Sequence, residues 1–160
     1  MIHSIQRVAA LVLADAARKA PLEFDKKGQS VVVDGVEVEL RFKVVKQAFE
    51  GFVLRCYGVA AGASRVVGSL VAHQWSNDCS VYTAGVVDEY QRNGIATALY
   101  RKAAEIARDR YHGKELHSED YQSSREAKAF WRSEVQKGVA ERGTDRFGKG
   151  YFYYPLPLRW

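Results

Sequence analysis

A chain of 160 residues, 47% hydrophobic and 27% charged, has the length and composition of one globular domain, which excludes an intrinsically disordered protein. Its net charge of +5 favours acidic partners, and an anionic small molecule, nucleic acid and an anionic surface all remain open. No stretch is apolar over the length that a membrane-spanning helix needs. We therefore expect residues 1–160 to form a single domain without membrane association.

The two cysteines, Cys56 and Cys79, are far apart in the sequence and lack the spacing of metal ligands. They could pair in a disulfide only if the fold brought them together. We expect two reduced, mostly buried thiols, as is usual in a cytoplasmic protein.

The N-terminal segment has an amphipathic pattern that ends before Pro21. Although a short secretion signal is an alternative, one helical face collects most of the apolar residues, and a folded helix explains this better. The residues on that face are Ile2, Ile5, Val8, Val12 and Ala16.

Strand patterns fill the centre of the chain. Asp34 and Gly35 suit a two-residue hairpin turn, and residues 81–87 alternate in the manner of a strand, with Tyr82, Ala84 and Val86 on one side. Gly85 within that strand suggests a bulge or a close backbone approach. The predicted strands are residues 31–33, 36–45, 52–59, 66–73 and 81–87.

Helical spacing starts at Gly94 and continues to Tyr111, with Arg101 and other charged residues toward solvent and Gly113 at the C-terminal end. A strand at 115–118 should then run parallel to strand 81–87, because a helix connects the two. A second helix at 123–135, capped by Ser123 or Ser124, and strands at 139–142 and 151–154 complete the chain. The fold class is thus α/β (α+β), with a mixed, mostly antiparallel sheet of about six to seven strands flanked by helices.

The turn between strand 81–87 and the following helix has the properties of an anion site. The first N–H groups of a helix lack partners within the helix and carry partial positive charge. Gly94 allows a ligand to approach the backbone closely, and Ala96 keeps the next turn small. Because Arg92 adds a guanidinium with the geometry for phosphate oxygens, this turn suits a pyrophosphate.

The run Gln91-Arg92-Asn93-Gly94-Ile95-Ala96, placed after two valines and before a long amphipathic helix, fits the pattern Gln/Arg-x-x-Gly-x-Gly/Ala. In this setting it resembles the pyrophosphate loop of the GNAT superfamily of acyl-CoA-dependent N-acyltransferases. The resemblance is strong over residues 80–132 and architectural elsewhere. It implies a splay between the family's fourth and fifth strands, here between Val86-Val87 and residues 116–118.

The resemblance also implies a cofactor, acetyl-CoA, and direct acyl transfer to an amine acceptor, with no metal and no covalent enzyme intermediate. Backbone groups of Val86 and Val87 would hold the pantetheine arm and polarise the thioester carbonyl. N–H groups of residues 92–97 would bind the pyrophosphate. The implied cofactor-binding residues are Val86, Val87, Gln91, Arg92, Asn93, Gly94, Ile95, Ala96, Thr97 and Ser124.

The catalytic residues follow the family pattern less well. Ser124 stands where the family often has asparagine, and Trp131 stands where many members have the tyrosine that protonates the leaving thiolate. Since an indole has no proton to give in this way, Tyr121 is our candidate acid, with the hydroxyls of Ser123 and Ser124 as alternatives. Glu119 is our candidate base for an amine acceptor, together with Asp120, and a solvated acidic loop explains both residues equally well.

Other interpretations of the sequence stay open. A GNAT-fold binding protein without transfer activity is suggested by Trp131, and a nucleic-acid-directed member is suggested by the positive charge, although no nucleic-acid motif is present. His73 and His117 are better explained as structural histidines than as pocket bases. The acceptor is open among small amines, antibiotics, peptide N-termini, protein lysines and nucleobases, and so is the oligomeric state.

Overall fold

Eight strands form one mixed sheet in the computed structural model, which describes residues 29–48, 50–75, 78–118 and 124–158. The order across the sheet is β1-β2-β3-β4-β5-β6-β8-β7, and the pairing of β5 with β6 is parallel whereas the other pairings are antiparallel. The strands are β1 Gln29–Val33, β2 Val36–Ala48, β3 Gly51–Ala60, β4 Ala63–Trp75, β5 Asp78–Val86, β6 Glu115–Ser118, β7 Glu141–Thr144 and β8 Gly150–Pro155.

The predicted fold class is confirmed. The sheet exceeds the expected six to seven strands because both short strands at its edges join it, β1 against β2 and β7 against β8. The hairpin turn at Asp34 and Gly35 is also confirmed, since both residues have the positive φ angles (50° and 75°) of such a turn.

Two helices accompany the sheet in the described residues: α1 at Ile95–Tyr111 and α2 at Arg125–Gln136. The predicted bounds of α1 are nearly right, but His112, with φ 54°, takes the left-handed position at its C-terminal end instead of Gly113. The predicted N-terminal helix lies outside the described residues. Neither described helix has the length and apolarity to cross a membrane.

Helix α1 packs across the middle of the sheet, over β3 to β6. Its buried residues include Ile95, Leu99 and Ala103. A Cβ added at Gly68 of β4 would lie 2.8 Å from Leu99 Cδ1, so the absence of a side chain there lets the helix approach. This packing fixes the N-terminal end of α1 next to the end of β5.

A bulge interrupts β5 at Tyr82. The register passes from Val71 opposite Thr83 to Ala72 opposite Val81, which leaves Tyr82 as the extra residue. The bulge was predicted at Gly85 and lies elsewhere, although the Gly85 carbonyl does come within 3.0 Å of a Cβ position at Gly68. Because the bulge shifts the alternation, Ala84 and Val86 pack toward the core while Tyr82 is exposed.

Both cysteines are free and buried, which confirms the expected reduced thiols. Burial raises the pKa of Cys56 to about 12. Burial, together with the neighbouring Asp78 carboxylate, raises the pKa of Cys79 to about 11. Both thiols are therefore protonated and unreactive near neutral pH.

Candidate functional site

β5 extends past its short pairing with β6, and we call its edge beyond Val81, which has no partner opposite β4 among the described residues, the gap. The two strands pair from Cys79 beside Leu116 to Val81 beside Ser118. Beyond Val81, β5 continues to Val86 with β4 as its one strand partner among the described residues. Residues 116–118 are paired with β5, and residues 119–123 lie outside the described residues, so the splay stays a prediction. The unpaired edge lies at the carboxyl end of β5, a common place for ligands in such sheets.

The backbone of β5 presents polar groups to this gap. The N–H of Val87 donates to the carbonyl of Val67 in β4 at 2.9 Å. Because successive residues of a strand direct their N–H and C=O groups to opposite sides, Val86 directs its N–H away from β4 and toward the gap. Of the two valines singled out in the sequence, Val86 therefore has the available donor.

The Gln91 side chain ties the loop back to this strand. Its Nε2 donates to the carbonyl of Val86 at 3.0 Å and to Asp88 Oδ1 at 3.1 Å. Residues Asp88–Tyr90 form a 3₁₀ turn between the strand and the loop. The Gln91 amide thus fixes the position of the strand end relative to the loop.

Asn93 and two left-handed residues shape the rest of the loop. Asn93 Nδ2 donates to the carbonyls of Gln91 at 2.9 Å and Tyr90 at 3.3 Å. Arg92 and Gly94 have φ angles of 64° and 83°. These left-handed residues turn the backbone so that the chain enters α1 directly after Gly94.

The N-terminal end of α1 has free donors. Gly94 provides no side-chain cap, and Ala98 is the first helical residue whose N–H donates to the preceding turn, to the Gly94 carbonyl at 3.1 Å. No atom of the described residues lies within 4 Å of a Cβ placed on Gly94, and Arg92 is exposed beside it. The N–H groups of Ile95, Ala96 and Thr97, together with the helix dipole, have the chemistry to hold an anion.

Arg65, at the start of β4, adds a second cation to this loop. Its Nη1 lies 3.4 Å from Glu89 Oε2, and its guanidinium lies 5.3 Å from the centre of the Tyr90 ring. The sequence analysis missed this residue because the β4–β5 pairing brings it to the loop from 24 residues away. No local signal in the sequence could have identified it.

Ser124 is the N-cap of α2, as one of the two serines was predicted to be. Its Oγ accepts a hydrogen bond from the N–H of Ala127 at 3.1 Å, and the residue is buried. Within the described part of the chain, Ser124 makes no hydrogen bond with the loop of residues 86–97. Glu119 and Tyr121 lie outside the described residues, and their roles stay predictions.

Trp131 belongs to the core. It is fully buried, and its ring lies 4.9 Å from that of Tyr154 and 5.4 Å from that of Tyr100. Its ring also stacks on that of Phe152, with ring centres 6.3 Å apart. The side chain at the position of the family's proton donor is therefore part of the packing between α1, α2 and β8.

An ion pair beside Trp131 was not predicted. Arg101 of α1 was expected to face solvent. Instead, its Nη2 lies 3.2 Å from the carboxylate of Glu134, a fully buried residue of α2. The sequence pattern of α1 placed Arg101 on the polar face, and that face is covered by α2. Burial and the neighbouring Glu134 carboxylate raise the pKa of Tyr154 far above its usual value.

The two strand histidines have aromatic neighbours. His73 stacks on Tyr82 with ring centres 4.7 Å apart, and His117 stacks on Tyr151 at 5.4 Å. His117 also faces two carboxylates at the amino ends of β5 and β6, away from the gap.

Comparison with solved structures finds several acetyltransferases. Nourseothricin acetyltransferase matches with a TM-score of 0.51 and 21% identity over 90% of this chain and 94% of that chain. The ribosomal-protein-S18-alanine N-acetyltransferase of Escherichia coli matches with a TM-score of 0.49 and 13% identity over 71% and 74% of the two chains. A GNAT-family acetyltransferase of Staphylococcus aureus Mu50 matches with a TM-score of 0.47 and 9% identity over 66% and 68%.

The comparison with protein families covers the site itself. No curated protein matches the chain. The family model of the acetyltransferase (GNAT) family matches residues 33–134, which extend from the end of β1 to the last turns of α2 and include the gap, the loop and α1. This chain therefore belongs to the acetyltransferase (GNAT) family.

Proposed function

We propose that the protein is an N-acetyltransferase that transfers an acetyl group directly from acetyl-CoA to an amine. One observation carries the proposal: the edge of β5 beyond its pairing with β6 leads directly into the loop and the N-terminal end of α1, which has no side-chain cap. A thioester in the gap and a pyrophosphate on the helix N-terminus would use both features at once. Arg92 is exposed in the loop, and Arg65 contacts Glu89 in the turn that precedes it.

Acetyl-CoA would supply an activated acetyl group. In the transfer, the carbon–sulfur bond of the thioester breaks and a carbon–nitrogen bond to the amine forms. The chain's part is to orient and polarise that group. The N–H of Val86 would donate to the carbonyl oxygen as negative charge develops on it, which contributes roughly 3 to 4 kcal/mol in comparable sites. Gln91 holds the same residue in place through its carbonyl.

Proton transfer completes the reaction. The attacking amine must lose a proton, and Glu119 is the proposed base. The departing thiolate must gain one, and Tyr121 is the proposed acid. Water can also protonate the thiolate, since a thiol with a pKa near 8.5 is a fair leaving group. Trp131 takes no part, because it is enclosed in the core.

We place this reaction in the cytoplasm. The proposal is supported by the two free, buried cysteines, which suit a reducing compartment.

Two measurements test the function. Acetyl-CoA at about 100 times its dissociation constant should stabilise the folded protein by about 2.7 kcal/mol in thermal unfolding. Release of free thiol should then appear with at least one member of an acceptor panel of small amines, peptide N-termini, lysine peptides and nourseothricin. If acetyl-CoA does not stabilise the protein and no acceptor gives thiol release, the proposal is refuted.

A second candidate function is favoured by the burial of Trp131. If the usual proton donor has been replaced by a core residue, the protein could bind acetyl-CoA without transferring the acetyl group. Stabilisation by acetyl-CoA without thiol release from any acceptor would support this binding function, and measurable transfer would exclude it.

A further inference from the structure

Three metal-ligand side chains meet at the amino ends of β5 and β6. Asp78 is the first residue of β5, Glu115 is the first of β6, and His117 follows two positions later. One ligand atom from each lies within 4.8 Å of the other two. The parallel register brings these residues together, since Cys79 lies beside Leu116 and Ser80 beside His117.

The spacing of these atoms suits a metal ion better than hydrogen bonds. His117 Nε2 lies 3.6 Å from Asp78 Oδ2 and 3.5 Å from Glu115 Oε2. Both distances are too long for a good hydrogen bond. With tetrahedral metal–ligand bonds of about 2.0–2.2 Å, neighbouring ligand atoms are about 3.3–3.6 Å apart. The two separations from His117 agree with that geometry, and the ligand atoms of the two carboxylates lie within 4.8 Å of each other.

The ligand atoms are held in place by their surroundings. Asp78 Oδ1 accepts hydrogen bonds from the N–H groups of Lys114 and Glu115, each at 3.1 Å, which leaves Oδ2 directed at His117. The His117 ring stacks on Tyr151, and its Nε2 is buried without a hydrogen-bond partner. Contacts of this kind, which orient a ligand from outside, are typical of metal sites.

The charge of the cluster also favours binding of a cation. Among the described residues, no lysine or arginine forms an ion pair with Asp78 or Glu115, and His117 is their one basic neighbour. Two carboxylates this close to each other repel unless a positive charge lies between them. An unpartnered imidazole nitrogen is directed at the same point.

We propose that Asp78, Glu115 and His117 bind a divalent transition metal ion, with Zn²⁺ as the best fit. Zn²⁺ accepts imidazole and carboxylate ligands together, whereas Ca²⁺ and Mg²⁺ prefer oxygen ligands in larger numbers. Three protein ligands leave a fourth position for water. The ion would clamp β5 to β6 at the ends opposite the gap, and the proposal does not depend on acetyl transfer.

The site was not expected from the sequence, which lacks the local spacing of metal ligands. Asp78 and Glu115 are 37 residues apart, and the parallel pairing of two strands around α1 joins them.

The test is a calorimetric titration of chelator-treated protein with ZnCl₂ in a phosphate-free buffer. His117→Phe keeps an aromatic ring for Tyr151 but removes the ligand nitrogen, and Asp78→Asn keeps an oxygen for the two N–H groups but removes the charge. We expect one ion per wild-type chain and affinity at least about tenfold weaker in each variant. Circular dichroism verifies that the variants fold.

His112→Asn is the matched control, because it removes a different histidine at a left-handed position that asparagine tolerates. The His112→Asn variant should bind Zn²⁺ as the wild type does. In a separate measurement, Co²⁺ bound to the wild type should show the strong visible absorption of a tetrahedral site. The proposal is overturned by the absence of stoichiometric binding, or by equal binding in wild type, His117→Phe and Asp78→Asn. It is also overturned if the cluster takes up a primary amine but no metal.

Discussion

Gly94 is the residue on which the proposed pyrophosphate site depends most. It is left-handed, with φ 83°, and a Cβ there would meet no atom within 4 Å in the part of the chain that the structure describes. The space around it is therefore not needed for packing. A glycine in an open, left-handed position at a helix N-terminus is the arrangement that lets a ligand approach the backbone.

Replacing Gly94 by alanine tests this. Gly94→Ala should weaken acetyl-CoA binding by about tenfold, because a Cβ would stand in the path of the phosphate and the left-handed backbone would be strained by about 1 kcal/mol. Isothermal titration calorimetry measures the affinity, and urea unfolding measures the strain.

Gly35→Ala is the control. Gly35 is also left-handed, with φ 75°, and is equally open, but it lies in the β1–β2 turn at the far edge of the sheet. It should lose similar stability and keep full affinity for acetyl-CoA. Equal affinity in the two variants would contradict the role of Gly94.

At the scale of elements, the end of β5 and the loop form one unit through Gln91. Its amide bonds to the Val86 carbonyl and to Asp88, so the donor in the gap and the anion site move together. Preorganisation of this kind allows a backbone N–H to act on developing charge without rearrangement.

Gln91→Ala should raise the KM for acetyl-CoA and lower kcat, each by several-fold, because the end of β5 would lose its link to the loop. Steady-state kinetics with the best acceptor measures both. Gln47→Ala is the control. Gln47 lies in β2, and its Oε1 accepts a hydrogen bond from Arg110 Nη1 at 2.7 Å. This variant should leave both constants unchanged. Wild-type constants in Gln91→Ala would show that the link has no part in the site.

The contact between α1 and α2 is made by aromatic rings and by the Arg101–Glu134 pair. Trp131 lies at the centre of it. The element is therefore built for packing, and Trp131 is not a proton donor in the proposed reaction.

Trp131→Phe should lower the free energy of unfolding by about 1–3 kcal/mol and keep most of the turnover, since the ring contributes packing only. Loss of a general acid costs about 10²–10⁴-fold in rate. We therefore expect less than a tenfold loss of kcat and an unchanged pH profile at a temperature where the variant is folded. A hundredfold loss with a shifted profile would make Trp131 part of the catalytic machinery.

At the scale of the whole molecule, the core sets the response to alkaline pH. Cys56 and Cys79 have folded-state pKa values of about 12 and about 11, above the usual value near 8.5 for an unfolded chain. At a pH between about 8.5 and these folded-state pKa values, the unfolded chain has lost thiol protons that the folded protein retains. Stability is thus greatest below about pH 8.5 and falls as the pH rises toward 11 or 12.

Urea unfolding at pH 8, 9.5 and 10.5 should show this decline, with each thiol contributing up to about 1.4 kcal/mol per pH unit. In Cys56→Ala the decline should be less steep, although the variant is less stable at pH 8. An identical slope in both proteins would mean that the Cys56 thiol does not retain its proton in the folded state.

The parts of the molecule that could be predicted from the sequence are those encoded locally. The spacing of Ile95, Leu99 and Ala103 predicted α1 nearly to the residue, and Asp34-Gly35 predicted its hairpin. The parallel pairing of β5 with β6 followed from the order of strand, helix and strand.

The parts that could not be predicted depend on which distant residues meet. Arg65 reaches the loop through strand pairing, and Asp78 meets His117 through the parallel register. Arg101 is covered by a helix 33 residues away, although its own helix pattern places it in solvent. The bulge at Tyr82 depends on pairing with β4, and nothing in the alternation of β5 alone locates it.

The most direct test of the account compares acetyl-CoA with S-acetylpantetheine, which has the thioester and the arm but no pyrophosphate, in calorimetric titrations of the wild-type protein. If the N-terminal end of α1 and the arginines beside it bind the pyrophosphate, acetyl-CoA should bind at least about a hundredfold more tightly, and added salt should reduce the difference. Equal affinity for the two compounds, or no binding of acetyl-CoA, would contradict the account.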